Sequence, residues 1–479
     1  MSNRVNILRM ATGVPGLDEL LGGGISEFSF NLLAGTPGSG KTTMAHQIMF
    51  SLAAPDRRAL FFTVLGEPPL KMLRYQQQFP FFDVTKINQS IKFVNLAADL
   101  LDGDFDQLLE RIEQEVRDFE PSLVFVDSFR SVVQSARGVD NGASGLQHFI
   151  QQLGMQMTGW LATTFLIGEY QSPEAESTAV FTVADGIIWM SQQVQRDAMV
   201  RKIQVVKMRG QSQSLGVHTF RISDSGVEIF PRAMLQAAAS LNVGDERLAI
   251  GVSELDRMMG GGVPIGYSVL LVGPSGSGKS VLATQFLATG VACGEPGVIA
   301  SFEKSPNQLF SKQLNLLVEG GQVGLINTRT LDLSIDEILH DLINLIKKMG
   351  AKRVVIDSLS GFELALASQF RDDFRESLYR MIDILTAMGV TVLMTAELED
   401  RYETLRFSTY GNAFLADAII MQRYVEVEGE FKRVISVVKV RASEHSKQIR
   451  FYEIDSEGIT IGEPLTNYSG ILTGSPMLR

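Results

Sequence analysis

GTPGSGKT at residues 35–42 and GPSGSGKS at residues 273–280 decide the reading of this 479-residue chain. Both fit GxxxxGK followed by Ser or Thr, both follow an apolar run, and both open a stretch of helical spacing, residues 43–50 and 281–288. That pattern is a phosphate cradle. Gly38, Gly40, Gly276 and Gly278 let the backbone curl tightly enough to aim successive N–H groups at phosphate oxygens, and the helix that follows adds the positive end of its dipole. In the first octet Gly35, Thr36, Pro37, Gly38, Ser39 and Gly40, with Lys41, Thr42 and Thr43, are expected to bind ATP. In the second, Gly273, Pro274, Ser275, Gly276, Ser277 and Gly278, with Lys279, Ser280 and Val281, take the same role. Lys41 and Lys279 should reach the β- and γ-phosphates. Thr42 and Ser280 offer hydroxyls to Mg²⁺, and Asp127 and Asp357, at the carboxyl ends of apolar strands, are placed to hold the metal's waters. A single octet is also what a glycine-rich turn with a chance lysine looks like; two in register, each with a strand-borne aspartate downstream, are not.

Outward from the octets, the chain is one unit written twice. TGVPGLDELLGGG at 12–24 returns as IGVSELDRMMGGG at 250–262, at the same shift of 238 residues that separates the octets. LVFVDS at 123–128 matches VVIDS at 354–358, and KMRG at 207–210 matches KVRA at 439–442, in the same order. A period this long makes each copy a whole domain with its own core. The expected division is 1–235 for the first domain, 236–246 for a linker, 247–465 for the second, and 466–479 for a tail that is either a regulatory peptide or a frayed end. In each copy short β-branched runs alternate with helical periodicity, which predicts an α/β fold: two tandem RecA-like domains, each a mainly parallel sheet flanked by helices and closed by a C-terminal hairpin. Strands are expected at 30–34, 60–65, 123–126 and 161–167, and at 269–272, 298–302, 354–356 and 390–395. The strongest helix is 335–349, one apolar face with Ser334 and Glu337 as a capping box.

Composition narrows the class. With 45% hydrophobic and 20% charged residues the chain is globular, and no apolar run reaches the roughly 18 residues of a membrane span. The start, MSNRVNILRM, has no export signal, so a cytoplasmic location is expected. The single Cys293 excludes an internal disulfide and reads as a small core filler. A net charge of −11 argues against a uniformly basic nucleic-acid surface.

Hydrolysis needs a carboxylate for the attacking water. FFTVLGEPP puts Glu67 just past the carboxyl end of the second strand, and IASFEKSP puts Glu303 there in the other copy; these are the expected catalytic residues. The competing reading for each is a solvated loop carboxylate. Lys207 with Arg209, and Lys439 with Arg441, alternate along a strand too far from their own loop, so a neighbouring subunit is expected to receive them at its γ-phosphate. A polar edge strand guarding against aggregation has the same pattern.

The two octets, the two LD-x-x-x-GGG openings, KMRG with KVRA, and the ending GILTGSPMLR together resemble the KaiC family of clock ATPases and autokinases along essentially the whole chain. That resemblance implies a double-ring homohexamer with ATP between subunits, slow ATPase activity in the first ring, autophosphorylation on Ser and Thr in the second, and KaiA-like or KaiB-like partners or a histidine kinase. Two departures stand out. The family carries two adjacent glutamates after the second strand, where this chain has LGEP and FEKS, with Lys304 in place of the second. The family's adjacent acceptor Ser and Thr fall on Ala413 and Phe414, which have no hydroxyl; Ser408 and Thr409 lie upstream as alternatives, or as a polar loop.

Other functions on the same fold are a DNA-handling ATPase, which needs basic or aromatic pore loops, and a scaffold whose ATP only holds the ring together. The stretches near residues 130–137 and 371–380 carry some positive charge, but helix faces commonly do. A transporter cassette would need an LSGGQ-like signature, which the sequence does not contain.

Overall fold

The computed structural model describes residues 7–64, 69–101, 105–129, 132, 142–171, 179–195, 198–232, 246–302, 311–327, 334–366, 374–398, 415–456, 458–466, 468–469 and 477–478. The chain divides into two compact units, Met1–Ala233 and Met234–Arg479.

The first unit is built on a nine-stranded sheet. From one edge the strands are Gly226–Phe230, His218–Ser223, Ala198–Met208, Gly186–Gln195, Phe30–Gly35, Thr163–Glu169, Leu123–Asp127, Ala59–Thr63 and Ile91–Asn95. The last six are parallel; the first three complete an antiparallel flap. The second unit repeats the order: Ile459–Pro464, Ile449–Ile454, Glu430–Val440, Ala418–Val427, Ser268–Gly273, Thr391–Glu397, Arg353–Asp357, Gly297–Ser301 and Val323–Asn327. Two mostly parallel sheets flanked by helices are the tandem RecA-like architecture that the sequence predicts.

Central strands such as FNLLAG and SVLLVG are buried along their whole length, as strands covered on both faces must be. One face of the first sheet packs the helix Lys41–Leu52. Here Phe61, Phe125 and Phe165 stand side by side on adjacent strands, with ring centroids 5.9 and 4.8 Å apart. The opposite face is covered by Phe105–Phe119 and Gly142–Gly159. In the second unit the helix Ile335–Met349 starts where the capping box places it: the Ser334 hydroxyl accepts from the Glu337 N–H at 3.1 Å.

The repeated LD-x-x-x-GGG openings are structural. The Asp18 carboxylate accepts the Thr12 N–H at 2.8 Å, and Asp256 accepts those of Ile250 and Gly251 at 2.7 and 3.2 Å, each closing a turn in front of its phosphate-loop strand. The last glycine of each run is held at positive φ, with a backbone carbonyl where a Cβ would sit: Met10 O at 2.2 Å for Gly24 and Leu248 O at 2.5 Å for Gly262.

One expectation is overturned. Cys293 is not a core filler; it follows the helix Lys279–Ala292, whose last turn ends in the left-handed Gly294, and its thiol is exposed. In the tail, Tyr468–Ser469 pairs with Met477–Leu478, and Leu465 is buried beside Val425, Val427 and Val434. Among the described residues no helix is long and apolar enough to cross a membrane.

Candidate nucleotide site

Each phosphate loop leaves the carboxyl end of its central strand and runs straight into a helix, Lys41–Leu52 or Lys279–Ala292, capped by the left-handed Gly40 (φ 95°) or Gly278 (φ 96°). The lysine and hydroxyl residue therefore sit in the first helical turn, with free backbone N–H groups around them. Lys41 Nζ donates to Gly35 O at 3.1 Å and Thr36 O at 2.7 Å, so the ammonium lies inside the curl of the loop. Lys279 Nζ does the same toward Gly273 O and Pro274 O, at 2.8 and 2.9 Å. Pro37, Gly38, Ser275 and Gly276 form the exposed crests of the two loops, while Ser39 and Ser277 are buried beneath them. Thr43 and Val281 are half-buried in the helices' first turns.

The predicted metal groups meet. Thr42 Oγ1 donates to Asp127 Oδ2 at 2.7 Å, and Ser280 Oγ to Asp357 Oδ2 at 2.8 Å. A hydroxyl with a carboxylate at the mouth of a phosphate loop is a donor set that fits hydrated Mg²⁺, an oxygen-seeking ion that keeps several of its waters. Burial pushes the Asp127 carboxyl up to about 6, against the opposing pull of the Thr42 hydrogen bond and the Lys41 charge. Burial also lowers Lys41, while Glu169 and Asp127 act to raise it.

Glu169 was not singled out from the sequence. It ends the strand Thr163–Glu169 directly opposite Gly35, and Glu397 ends Thr391–Glu397 directly opposite Gly273. Each first glycine of a phosphate loop thus has a carboxylate beside it. The signal was present in TTFLIGE and TVLMTAE, two matching strands that both stop on glutamate. Glu67 and Glu303 lie outside the described residues, as do Lys304, Ser408, Thr409, Ala413 and Phe414; the strand that leads to Glu67 ends at Thr63, opposite Asp127.

The Lys and Arg of the flap do not join their own loop. Lys207 stands opposite Ile187, and Met208 opposite Gly186, which is level with Asn31. Arg209 is therefore one step further, near the Phe30 end of the strand whose other end is Gly35, about 17 Å away at 3.4 Å per residue. There Arg209 pairs with Asp185 at 3.1 Å and Lys207 donates to Thr182 O at 3.1 Å. Arg441 pairs with Asp417 at 2.9 Å, and Lys439 donates to Ala416 O at 2.7 Å. Burial, then the neighbouring arginine, lowers each lysine below its ordinary value.

The family model described as "ATPase: KaiC" matches the chain twice, over residues 10–234 and 248–466. The chain belongs to the KaiC ATPase family. It is 28% identical over 490 residues to circadian clock protein KaiC3 of Synechocystis sp., covering 98% of this chain and 95% of that protein. It is 27% identical to the circadian clock oscillator protein KaiC of Picosynechococcus sp., and 28% identical to that of Thermostichus vulcanus, each covering 98% of this chain and 92% of the relative.

In this KaiC-family chain the two sites are not copies of each other. Thr395 Oγ1 donates to Asp357 Oδ1 at 2.5 Å, so both carboxylate oxygens of Asp357 are held. On the strand that matches that of Thr395, the residue opposite Asp127 is Ile167, whose side chain has no donor to give.

Proposed function

We propose that this KaiC-family protein binds Mg·ATP at both phosphate loops and hydrolyses it in a homohexameric double ring. The observation that carries the reading is the division of labour within each half. The lysine, hydroxyl and aspartate are gathered at one end of the central strand, and the Lys-Arg pair is held at the other, where only a neighbouring copy's nucleotide comes within reach. Subunits stacked head to tail would put Lys207 and Arg209, or Lys439 and Arg441, on the far side of the adjoining γ-phosphate.

In that arrangement the loop amides and Lys41 or Lys279 grip the phosphates, and the adjoining Lys and Arg stabilise charge on the transferring group. Bound Mg²⁺ would neutralise the β- and γ-oxygens; Thr42 with Asp127, and Ser280 with Asp357, are the residues that would hold it. Glu67 and Glu303 accept a proton from the water that attacks the γ-phosphorus, releasing phosphate and ADP. The cycle serves as a timer or signalling switch, read out by a KaiA-like or KaiB-like protein or a histidine kinase. For autophosphorylation in the second half Ser408 and Thr409 are the candidate acceptors, since Ala413 and Phe414 have no hydroxyl.

Phosphate release by the purified full chain tests this reading. Glu67→Gln should remove most of the turnover contributed by the first half while leaving nucleotide bound; unchanged release would make the bound ATP a structural staple. A monomeric mass in sedimentation with saturating Mg·ATP would overturn the ring. Intact-mass spectrometry after incubation with Mg·ATP reads the kinase reaction: one added phosphoryl group supports it, and steady phosphate release without such a species leaves an ATPase alone.

A further inference from the structure

The two phosphate loops are braced by different chemistry at their apex. In the second half the outer strand Ile449–Ile454 packs against the loop, with Ile454 Cδ1 2.4 Å from the point a Cβ on Gly278 would occupy. Two residues before Ile454, the buried Tyr452 donates its hydroxyl hydrogen to the carbonyl oxygen of Ser277. Ser277 in turn donates its own hydroxyl to Gln422 Oε1 at 3.2 Å. The first half has the same scaffold: Ile222 Cδ1 lies 2.4 Å from the equivalent point on Gly40. Two residues before Ile222, however, stands Phe220, which faces Arg201 across the sheet as Tyr452 faces Arg433. Gln422 faces Ile435, and its counterpart facing Ile203 is Met190. Both polar groups are replaced by apolar side chains in the first half. Its loop is instead tied at the entry, where Gln192 donates its side-chain Nε2–H to Pro37 O at 3.0 Å and its backbone N–H to Thr36 Oγ1 at 3.3 Å.

The peptide plane links this contact to the phosphates. The Ser277 carbonyl and the Gly278 N–H belong to one trans peptide, so they point in opposite directions. A carbonyl anchored outward on the flap holds the amide turned inward, toward the phosphate cradle. Glycines around such a loop leave the plane free to flip unless something fixes it. Burial raises the Tyr452 hydroxyl above its ordinary value, which keeps it a donor throughout the working range of pH.

We infer that Tyr452, supported by Gln422, is a positioning residue that locks the Ser277–Gly278 peptide with its amide facing the nucleotide, so that the second half releases nucleotide more slowly than the first. The inference rests on the reading that each loop binds a nucleotide. It concerns residues that touch the loop's outer side and never the nucleotide itself.

The test is the release rate of methylanthraniloyl-ADP from the full-length chain, measured in a Lys41→Ala background that leaves only the second loop, and in a Lys279→Ala background that leaves only the first. Tyr452→Phe should speed release from the second loop by about five- to tenfold, the worth of one buried hydrogen bond to a carbonyl otherwise left without it, and leave the first loop unchanged. The same variant should raise the KM for ATP at the second loop with kcat preserved, a split that general loosening of the domain would not give. Gln422→Met, which installs the first half's residue, serves as an independent second variant and should move the same rate in the same direction. Unchanged release from the second loop in both variants, or equal acceleration at both loops, overturns the inference while leaving the function intact. Failure of the unmutated chain to take up nucleotide at either loop overturns both.

Discussion

Acidification should weaken the first half in a way that one side chain, His46, makes separable. This imidazole sits in the middle of the helix Lys41–Leu52, fully buried, stacked on Phe61 with centroids 4.7 Å apart and an interplanar angle of 21°. Neither ring nitrogen has a hydrogen-bond partner among the described residues. Burial alone drives its pKa from 6.5 down to about 3. A base whose folded-state pKa is depressed leaves stability untouched above the unfolded value; the loss begins as pH falls below 6.5 and continues to about 3, because only the unfolded chain takes up the proton. Each pH unit inside that window costs about 1.4 kcal/mol, so going from about pH 7 to about pH 5 should cost about 2 kcal/mol.

Urea unfolding followed by tryptophan fluorescence isolates this effect. The chain has two tryptophans, Trp160 and Trp189, and both lie in the first unit with His46. The His46→Leu variant keeps an apolar side chain of similar bulk and cannot titrate. Carboxylates and His218 titrate in both proteins and cancel in the comparison. The unmutated chain should lose about 2 kcal/mol more than His46→Leu over that interval. Losses that agree within about 0.5 kcal/mol would refute the reasoning and mean that the buried ring gains its proton without unfolding. The second half carries Thr284 at the corresponding helix position, its hydroxyl donating to Ser280 O at 2.9 Å, and has no such liability.

Three further outcomes follow from the same geometry. Lys41→Ala and Lys279→Ala should each lower the stoichiometry of Mg·ATP binding, read by titration calorimetry, from two per chain to one. Thr395→Val removes the donor to Asp357 Oδ1 without changing side-chain shape, and should raise the Mg²⁺ needed for half-saturation of the second loop about tenfold, measured in the Lys41→Ala background. Arg353→Met should destabilise the second half by about 3–5 kcal/mol, read by hydrogen exchange across that half. The buried Arg353 guanidinium pairs with Glu295 at 3.0 Å and donates to Ala249 O and Phe286 O at 2.6 and 3.0 Å, so its loss takes a donor from two carbonyls and leaves Glu295 with only the longer contact to Lys352, at 3.5 Å.

Much of this fold was legible in the sequence because its signals are local. An octet that needs glycine at fixed offsets, an apolar strand that stops on aspartate, and a Ser-x-x-Glu ahead of an amphipathic run each report on a few consecutive residues. The helix Ile335–Met349 and the placement of Asp127 and Asp357 were read from such segments. What escaped depends on register. That Glu169 stands beside Gly35, or Glu397 beside Gly273, is fixed by how two strands far apart in the chain align, and periodicity is silent on that alignment. Cys293 misled for a related reason: residue type favours the core, but a left-handed glycine one position later turned the chain outward.

Register also explains why the two halves differ where a linear comparison finds them alike. The octets share the core GSGK and would be taken as interchangeable. Three contacts that set them apart come from other strands: Thr395 against Ile167 beside the aspartate, Tyr452 against Phe220 and Gln422 against Met190 beneath the buried serine. In each of these three pairs the second half has the polar group and the first an apolar side chain, while the Gln192 tie at the loop entry is the first half's own. A carboxylate held at both oxygens and a peptide fixed by a phenol lose less freedom when ligand arrives, so less of the binding energy goes into ordering the site. The same polar groups would resist the small loop movements that accompany turnover. On the inference drawn above, divergence between the two domains would need no change in the phosphate motif itself: exchanging a polar group for an apolar one a layer behind it would make one site retentive and the other quick.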